Sequence, residues 1–388
     1  MDNLNDFIGR IRQVTGPATG GLHEPVFEGN EKKYLAECID SGFVSSVGPF
    51  VTAFEESVRD FVGAQHAVAV VNGTAALHLA LLAVGVRPGD EVLVPAMSFV
   101  ATANAVSHAG AIAHFVDVDA ATWGIDPVAL RSHLAQVGQM KEGRLYNKET
   151  GRPITAVVPM HALGHPVAIA PLLEVAEEFG LVVVEDAAES LGSFVGDRHT
   201  GLFGRLGVFS FNGNKTITTG GGGVIVTDDE ALAKRLKHLS TTARVPHPYE
   251  FDHDAVGYNY RMPNINAALG LAQMEQLPGL IAGQRDLFEL YDKAFAGSTF
   301  GDVRQESTGT TSNYWLQTIS LPEGLKDRKN ELIRGCLDAG VSVRPLWKPL
   351  NRLIPYASHP SAAAPVTEDL YSRVICLPSS AFLTKAER

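Results

Sequence analysis

Val182-Val183-Val184-Glu185-Asp186-Ala187-Ala188-Glu189 begins as a run of β-branched apolar residues and ends in acids. A strand without polar alternation is buried on both faces, the habit of a parallel sheet covered by helices. The strand spans Leu181–Glu185, and six runs of the same kind surround it: Ala67–Val71, Glu91–Val94, Ile112–Val118, Ile154–Pro159, Gly207–Phe211 and Gly223–Thr227. Each is bounded by Gly, Pro, Asp or Asn. Helical stretches such as Ala75–Val84 and Pro171–Phe179 lie between them. The alternation specifies an α/β fold, a mostly parallel seven-stranded sheet between helices.

Two regions break the rhythm. Gly138–Arg152 is polar and bounded by glycine, and reads as an exposed loop or hairpin inserted before the strand at Ile154. Beyond about residue 240 the texture changes. His247-Pro248 and Met262-Pro263 punctuate loops, and Asn264–Leu277 reads as a helix. Strands at Asn313–Leu321 and Val341–Arg344 around a helix at Asp327–Ala339 make a small C-terminal α+β domain. The expected division is an N-terminal segment, 1–25, a large domain, 26–250, and a small domain, 251–388. No internal repeat is evident.

The chain of 388 residues is 45% hydrophobic, enough for a large core, and carries a net charge of −11. No basic field is available to draw in a nucleic acid. Cys38, Cys336 and Cys376 are odd in number and far apart. They suit neither a disulfide framework nor a zinc site, and fit a reducing compartment. The start, MDNLNDFIGRIRQV, lacks a signal-peptide core, and the longest apolar stretch, around Leu79–Val86, is too short for a bilayer. The expectation is a soluble, cytoplasmic chain with no membrane partner.

Three segments carry chemistry. In Phe209-Ser210-Phe211-Asn212-Gly213-Asn214-Lys215 a strand runs into a turn, and a lysine follows a serine by five positions. A lone loop lysine is ordinarily a surface cation. Partly desolvated, it can lose its proton and form an imine. Asp186 and Glu189 stand at the end of a buried strand, where open α/β sheets gather ligands. An acid there either caps a helix or holds a ring nitrogen protonated. Asn72-Gly73-Thr74-Ala75 joins a strand to a helix, a site for an anion or simply a capped helix start. Gly220–Gly223 is no GxGxxG and reads as a turn re-entering the sheet. His161 and His165 have the spacing of some zinc helices, but Pro159, Gly164 and Pro166 exclude a helix there, so no metal is expected.

In this order the segments resemble the fold-type I pyridoxal 5′-phosphate (PLP) enzymes. More narrowly, they resemble the DegT/DnrJ/StrS family of sugar aminotransferases. The likeness runs from Leu22-His23-Glu24-Pro25 to Leu377-Pro378-Ser379-Ser380. It is carried by Gly42–Gly48, Val158–His161 with Gly164, Glu185–Gly192, Ser210–Lys215 and Gly257–Met262. The resemblance implies that Lys215 attaches the cofactor and shuttles the proton, while Asp186 pairs with the pyridine nitrogen and Glu189 lies near the phenolic edge, where relatives often have Gln. It implies phosphate contacts from Thr74, Ala75 and Ser210, and stacking by Phe99. It implies that Asn259 reaches the phosphate from a second subunit, making an obligate homodimer with a shared site. Glutamate would be the donor, leaving as 2-oxoglutarate, and a nucleotide-linked keto sugar the acceptor. Lysine at 215, where related dehydratases carry histidine, favours transamination over sugar dehydration. The acidic charge speaks against a regulatory DNA-binding role.

Finer wording is similar to the LegC-type branch: Phe211–Lys215, Thr218–Gly223, Val245–Pro248, Ser312–Trp315, Val343–Trp347 and the insertion at Gly138–Arg152. That likeness implies a UDP- or GDP-linked 2-acetamido-4-keto-2,6-dideoxyhexose on a route to legionaminic acid. The alternatives are a GDP-4-keto-6-deoxyhexose giving perosamine, or an eight-carbon keto-sugar acid. Ser45, His161, Arg261, Tyr314 and Arg344 are the candidate substrate contacts. An ion pair is the competing reading for either arginine.

Overall fold

A computed structural model describes residues 2–16 and 20–384. All seven expected strands form, with ends displaced by at most two residues: β1 His66–Val70, β2 Glu91–Pro95, β3 Ile112–Val116, β4 Ile154–Val157, β5 Val182–Asp186, β6 Leu206–Ser210 and β7 Gly223–Thr227. Their order across one sheet is β1-β7-β6-β5-β4-β2-β3. Strands β3, β2, β4, β5 and β6 pair in parallel, and β7 runs antiparallel to both neighbours. The Gly220–Gly223 run is the turn that brings β7 back.

Period-two alternation divides the core between the two faces of the sheet. Val68, Val70, Val184, Val208 and Ile225 face one layer of helices. Ala69, Phe209, Val224 and Val226 face the other. The helix Gly73–Ala83 is buried on nearly every side, which is why it shows no polar stripe. Since the parallel strands share one direction, their C-terminal ends open on one edge. Phe99, Asp186 and Ser210 stand there.

The C-terminal portion departs from expectation in its boundaries. The helix expected over Asn264–Leu277 continues through Pro278 to Phe295, 32 residues in all. Proline removes one backbone donor, but apolar residues beyond it keep the helix packed. Leu277 and Leu280 enter the sheet core, and Leu287, Tyr291 and Phe295 enter a second core. Phe7, Ile8 and Ile11 of the N-terminal helix Asp2–Thr15 pack into that second core as well. Beside it lies an antiparallel sheet of Asp302–Val303, Thr318–Ser320, Val374–Cys376 and Arg344–Pro345. The strand expected from Asn313 begins only at Thr318, because Tyr314 turns the backbone at a left-handed φ of 49°.

The insertion is a hairpin, Gly138–Lys141 against Arg144–Asn147. It is docked on fully buried Glu91, which accepts hydrogen bonds from Asn147 Nδ2 at 2.9 Å and from the Thr150 hydroxyl, and meets His114 Nδ1 at 2.9 Å. Among the described residues no helix is long and apolar enough to cross a membrane, and no cluster could hold a metal ion.

Candidate active site

The strand that ends in Glu185 and Asp186 sends these acids to opposite sides. Glu185 points away from the open edge. It meets His161 Nε2 at 2.9 Å and accepts the amides of Gly201, Phe203 and Gly204 at 2.6–2.8 Å. Burial opposes its charge, but these donors outweigh it and its pKa is lowered. Asp186 points into a cavity of about 640 Å³ at the sheet's edge. Thr102 donates to its Oδ2 at 2.7 Å and the Ala188 amide to its Oδ1 at 3.2 Å. Burial raises the Asp186 pKa against the pull of Thr102, Ala188 and Lys215.

Lys215 follows β6 by a tight turn, its amide donating to Asn212 O at 3.0 Å. Its Nζ lies 3.1 Å from Glu189 Oε1 and 4.1 Å from the centre of the Trp315 ring. Glu189 is buried and also accepts the Leu163 amide at 2.8 Å. Burial raises its pKa, and Lys215 opposes the rise.

The third wall is the head of the helix Gly73–Ala83. Asn72 caps it by accepting the Ala75 amide at 2.8 Å, so that donor is already used. The Gly73 and Thr74 amides, one turn before any intrahelical acceptor, remain available. Ser210 sits against this head. A Cβ on Gly73 would stand 2.9 Å from Ser210 Cβ, so only glycine permits the approach.

The cavity gathers Thr74, Phe99, Asp186, Glu189, Ser210, Lys215 and Arg344 of the sequence-derived candidates. Ala75 is beside it, with its amide spent on the cap. His161 is fully buried behind the sheet edge, with its Nδ1 accepting the Val167 amide at 3.2 Å. Tyr314 faces the opposite way from the cavity. It stacks on Phe288 at 4.3 Å, and its hydroxyl accepts the Glu306 amide at 3.1 Å. Burial pushes its pKa up to about 12.

Ser45, Asn259 and Arg261 lie elsewhere in this single chain. Asn259 and Arg261 line a surface hollow of about 710 Å³ with Ser46, Val47 and Arg244. Arg261 is held by both oxygens of Glu55. Ser45 is exposed next to that hollow.

Four residues of the site have no role in the sequence reading, although Trp315 and Trp347 fall within runs quoted there. Trp315, one position past the candidate Tyr314, faces Lys215. Thr102 orients Asp186. Trp347 and Lys348 line the cavity beside Arg344. Only the run Arg344–Lys348, rich in basic and aromatic residues near an expected strand, offered a signal for the last two.

A buried acid, a desolvated lysine and a bare helix head on one edge of a parallel sheet define a cofactor-dependent α/β transferase. Residues 25–388 match the DegT/DnrJ/EryC1/StrS aminotransferase family, and the chain belongs to it. GDP-perosamine synthase of Escherichia coli O157:H7 is 37% identical over 358 residues, covering 92% of each chain. The crystal structure of DesI with its TDP-sugar product superposes with a TM-score of 0.80 at 31% identity, over 96% of this chain and 91% of that one. The structure of the putative sugar aminotransferase Spr1654 of Streptococcus pneumoniae, PLP-form, gives 0.82 at 25% identity, over 92% of each. The protein is a PLP-dependent sugar aminotransferase. The site fits PLP: free amides beside Ser210 suit a phosphate, buried Asp186 suits a ring nitrogen, and Lys215 lines the same cavity.

Proposed function

We propose that this enzyme moves an amino group from glutamate to the 4-keto carbon of a GDP-linked 4-keto-6-deoxyhexose. The convergence of Lys215, Asp186 and the Gly73–Thr74 head on one cavity carries the reading of the chemistry. The GDP-perosamine synthase relative supports the perosamine-type acceptor over the legionaminic-type acceptor that the finer sequence wording implied.

Bound PLP would supply an electron sink for the carbon next to the transferred nitrogen. Asp186, oriented by Thr102, would hold the ring nitrogen's proton. The Gly73 and Thr74 amides and the Ser210 hydroxyl would hold the phosphate, and Phe99 would cover the ring. Lys215 would attach the cofactor and carry the proton to and from the substrate carbon. Arg344 and Lys348, both exposed on the cavity wall, would meet the substrate diphosphate.

The homodimer belongs to this reading. The hollow lined by Asn259 and Arg261 lies in a region with exposed apolar side chains, among them Phe43, Val47, Tyr249, Phe251 and Val256. Such a patch suits burial against a second copy, which would bring Asn259 to the partner's cavity. The proposed setting is the cytoplasm, which suits three free, buried cysteines. The division at about residue 250 is proposed with it.

The test supplies glutamate with each keto sugar in turn and measures 2-oxoglutarate. Turnover with the GDP-4-keto-6-deoxyhexose is expected. Turnover with the 2-acetamido sugar alone would reject the perosamine reading, and no 2-oxoglutarate with any sugar would reject the donor.

A further inference from the structure

We propose that Trp315 and Glu189 form a holding site for the free Lys215 ammonium, with Trp315 as a positioning residue for the proton step. The proposal rests on Lys215 being the cofactor's attachment residue.

A lysine that attaches a cofactor must let go whenever a substrate amine takes its place. It is then a cation on a flexible four-carbon stem, and such a stem carries much rotamer freedom. The structure contains a resting place for it. Nζ is 3.1 Å from Glu189 Oε1 and 4.1 Å from the Trp315 ring centre, and only 12% of the side chain is exposed. A ring face and a carboxylate therefore bind the ammonium from two directions.

This holding site is rigid for an identifiable reason. Fully buried Asn313 donates to the Glu189 and Leu191 carbonyls at 2.9 Å, and accepts the Trp315 amide at 2.9 Å. One side chain thus ties the Glu189 loop to the backbone of Trp315. The Trp315 indole N–H donates to Asn214 O at 2.7 Å, tying the ring to the residue before Lys215. At the left-handed backbone of Tyr314 the two rings part: Tyr314 packs against Phe288, and Trp315 faces Lys215. His23 lies 6.3 Å from the Trp315 ring, and burial and Lys215 bring its pKa to about 3, so it adds no competing cation.

The holding site serves proton transfer. In the acceptor half, an Nζ–H bond breaks, its electron pair stays on nitrogen, and the proton joins the electron pair of the substrate carbon. In the donor half a neutral Nζ takes the proton of the glutamate α-carbon, the C–H electron pair would pass into the electron sink that bound PLP supplies, and the new ammonium returns to the ring face. Without the ring face the ammonium loses one of its two supports and samples positions out of reach.

Trp315→Leu and Trp315→Phe separate the ring face from the indole N–H. In cofactor-free protein with isotope-labelled lysine, Lys215 ε-methylene protons are expected to be shifted upfield by the indole ring current. Leu should abolish the shift and Phe retain it. In single turnover with glutamate, Leu should slow the step about tenfold and enlarge the isotope effect of α-deuterated glutamate, with affinity changed less than about threefold. Phe should stay within about threefold of the native rate. Equal rates for Leu and Phe, or no ring-current shift in the native protein, overturn the proposal. Borohydride reduction of the PLP-loaded protein followed by peptide mapping separates the two readings. A label at Lys215 with equal Leu and Phe rates rejects this inference alone, and a label at another lysine rejects both.

Discussion

Glu185 and Asp186 are neighbours with opposite work, because successive side chains of a strand face opposite ways. Glu185 is spent on His161 and three amides, which leaves Asp186 to face the cavity. Burial already raises the Asp186 pKa, and the Thr102 hydroxyl counters it. Thr102→Val removes that donor to the charged form. The acid limb of the rate profile should then move to higher pH by about one unit, since the ionised carboxylate is the useful form. Steady-state rates across acidic to neutral pH check this, and an unmoved limb would show that Thr102 does not set the charge. Lys215→Ala should lower turnover by a factor on the order of 1,000, the usual contribution of a positioned acid–base group, while the chain still unfolds in a single cooperative transition. Turnover and a melting curve on the same preparation measure both.

At the scale of elements, the contact of a helix head with a strand end makes the anion cradle. Gly73→Ala places a methyl 2.9 Å from Ser210 Cβ. The head must withdraw, at a cost of about 1–3 kcal/mol for overpacking. PLP affinity, followed by absorbance titration, should fall more than the melting temperature suggests, because the same shift opens the phosphate site. The hairpin insertion is held differently, by Glu91 beneath it. Burial opposes the charge of Glu91, while bonds from His114, Thr150 and Asn147 outweigh that and lower its pKa. A depressed folded-state pKa means that the unfolded chain takes up the proton first. The stabilisation is present above the unfolded value and is lost as pH falls through the folded one. Glu91→Gln should cost about 3 kcal/mol at neutral pH, and its penalty should shrink in acid. Denaturant unfolding at both pH values decides it; a penalty that grew in acid would refute the assignment.

At the scale of the molecule, one chain brings together Lys215, Asp186 and Ser210 but leaves Asn259 in another hollow. In the proposed homodimer, sites would be built across two chains. Two inactive variants, Lys215→Ala and Asn259→Ala, should therefore regain activity when unfolded and refolded together. Half of randomly paired dimers would be mixed, each with one intact site, which gives about a quarter of native activity. No recovery in mixtures shown to be dimeric would place Asn259 outside the partner's site. In the proposed reaction the outer cations Arg344 and Lys348 suit the anionic end of a nucleotide-linked acceptor.

Strand pattern carried the seven strands and their mostly parallel sense, because buried runs bounded by turn residues alternate with helices, while their order and the reversal of β7 came from the tertiary structure. Motif order likewise identified Lys215, Asp186, Ser210 and Thr74 as parts of one site. Those residues sit at strand ends and helix starts, where local sequence dictates position. Only the tertiary structure decided the rest. Pro278 reads as a stop, yet packing on both sides carries the helix through it to Phe295. Tyr314 and Trp315 are adjacent in a promising motif, and a single left-handed residue exchanged which of them reaches the cavity. Thr102 and Asn313 bond to partners 84 and 124 residues away. Such contacts leave no periodic trace in a sequence, since they depend on where distant elements come to rest.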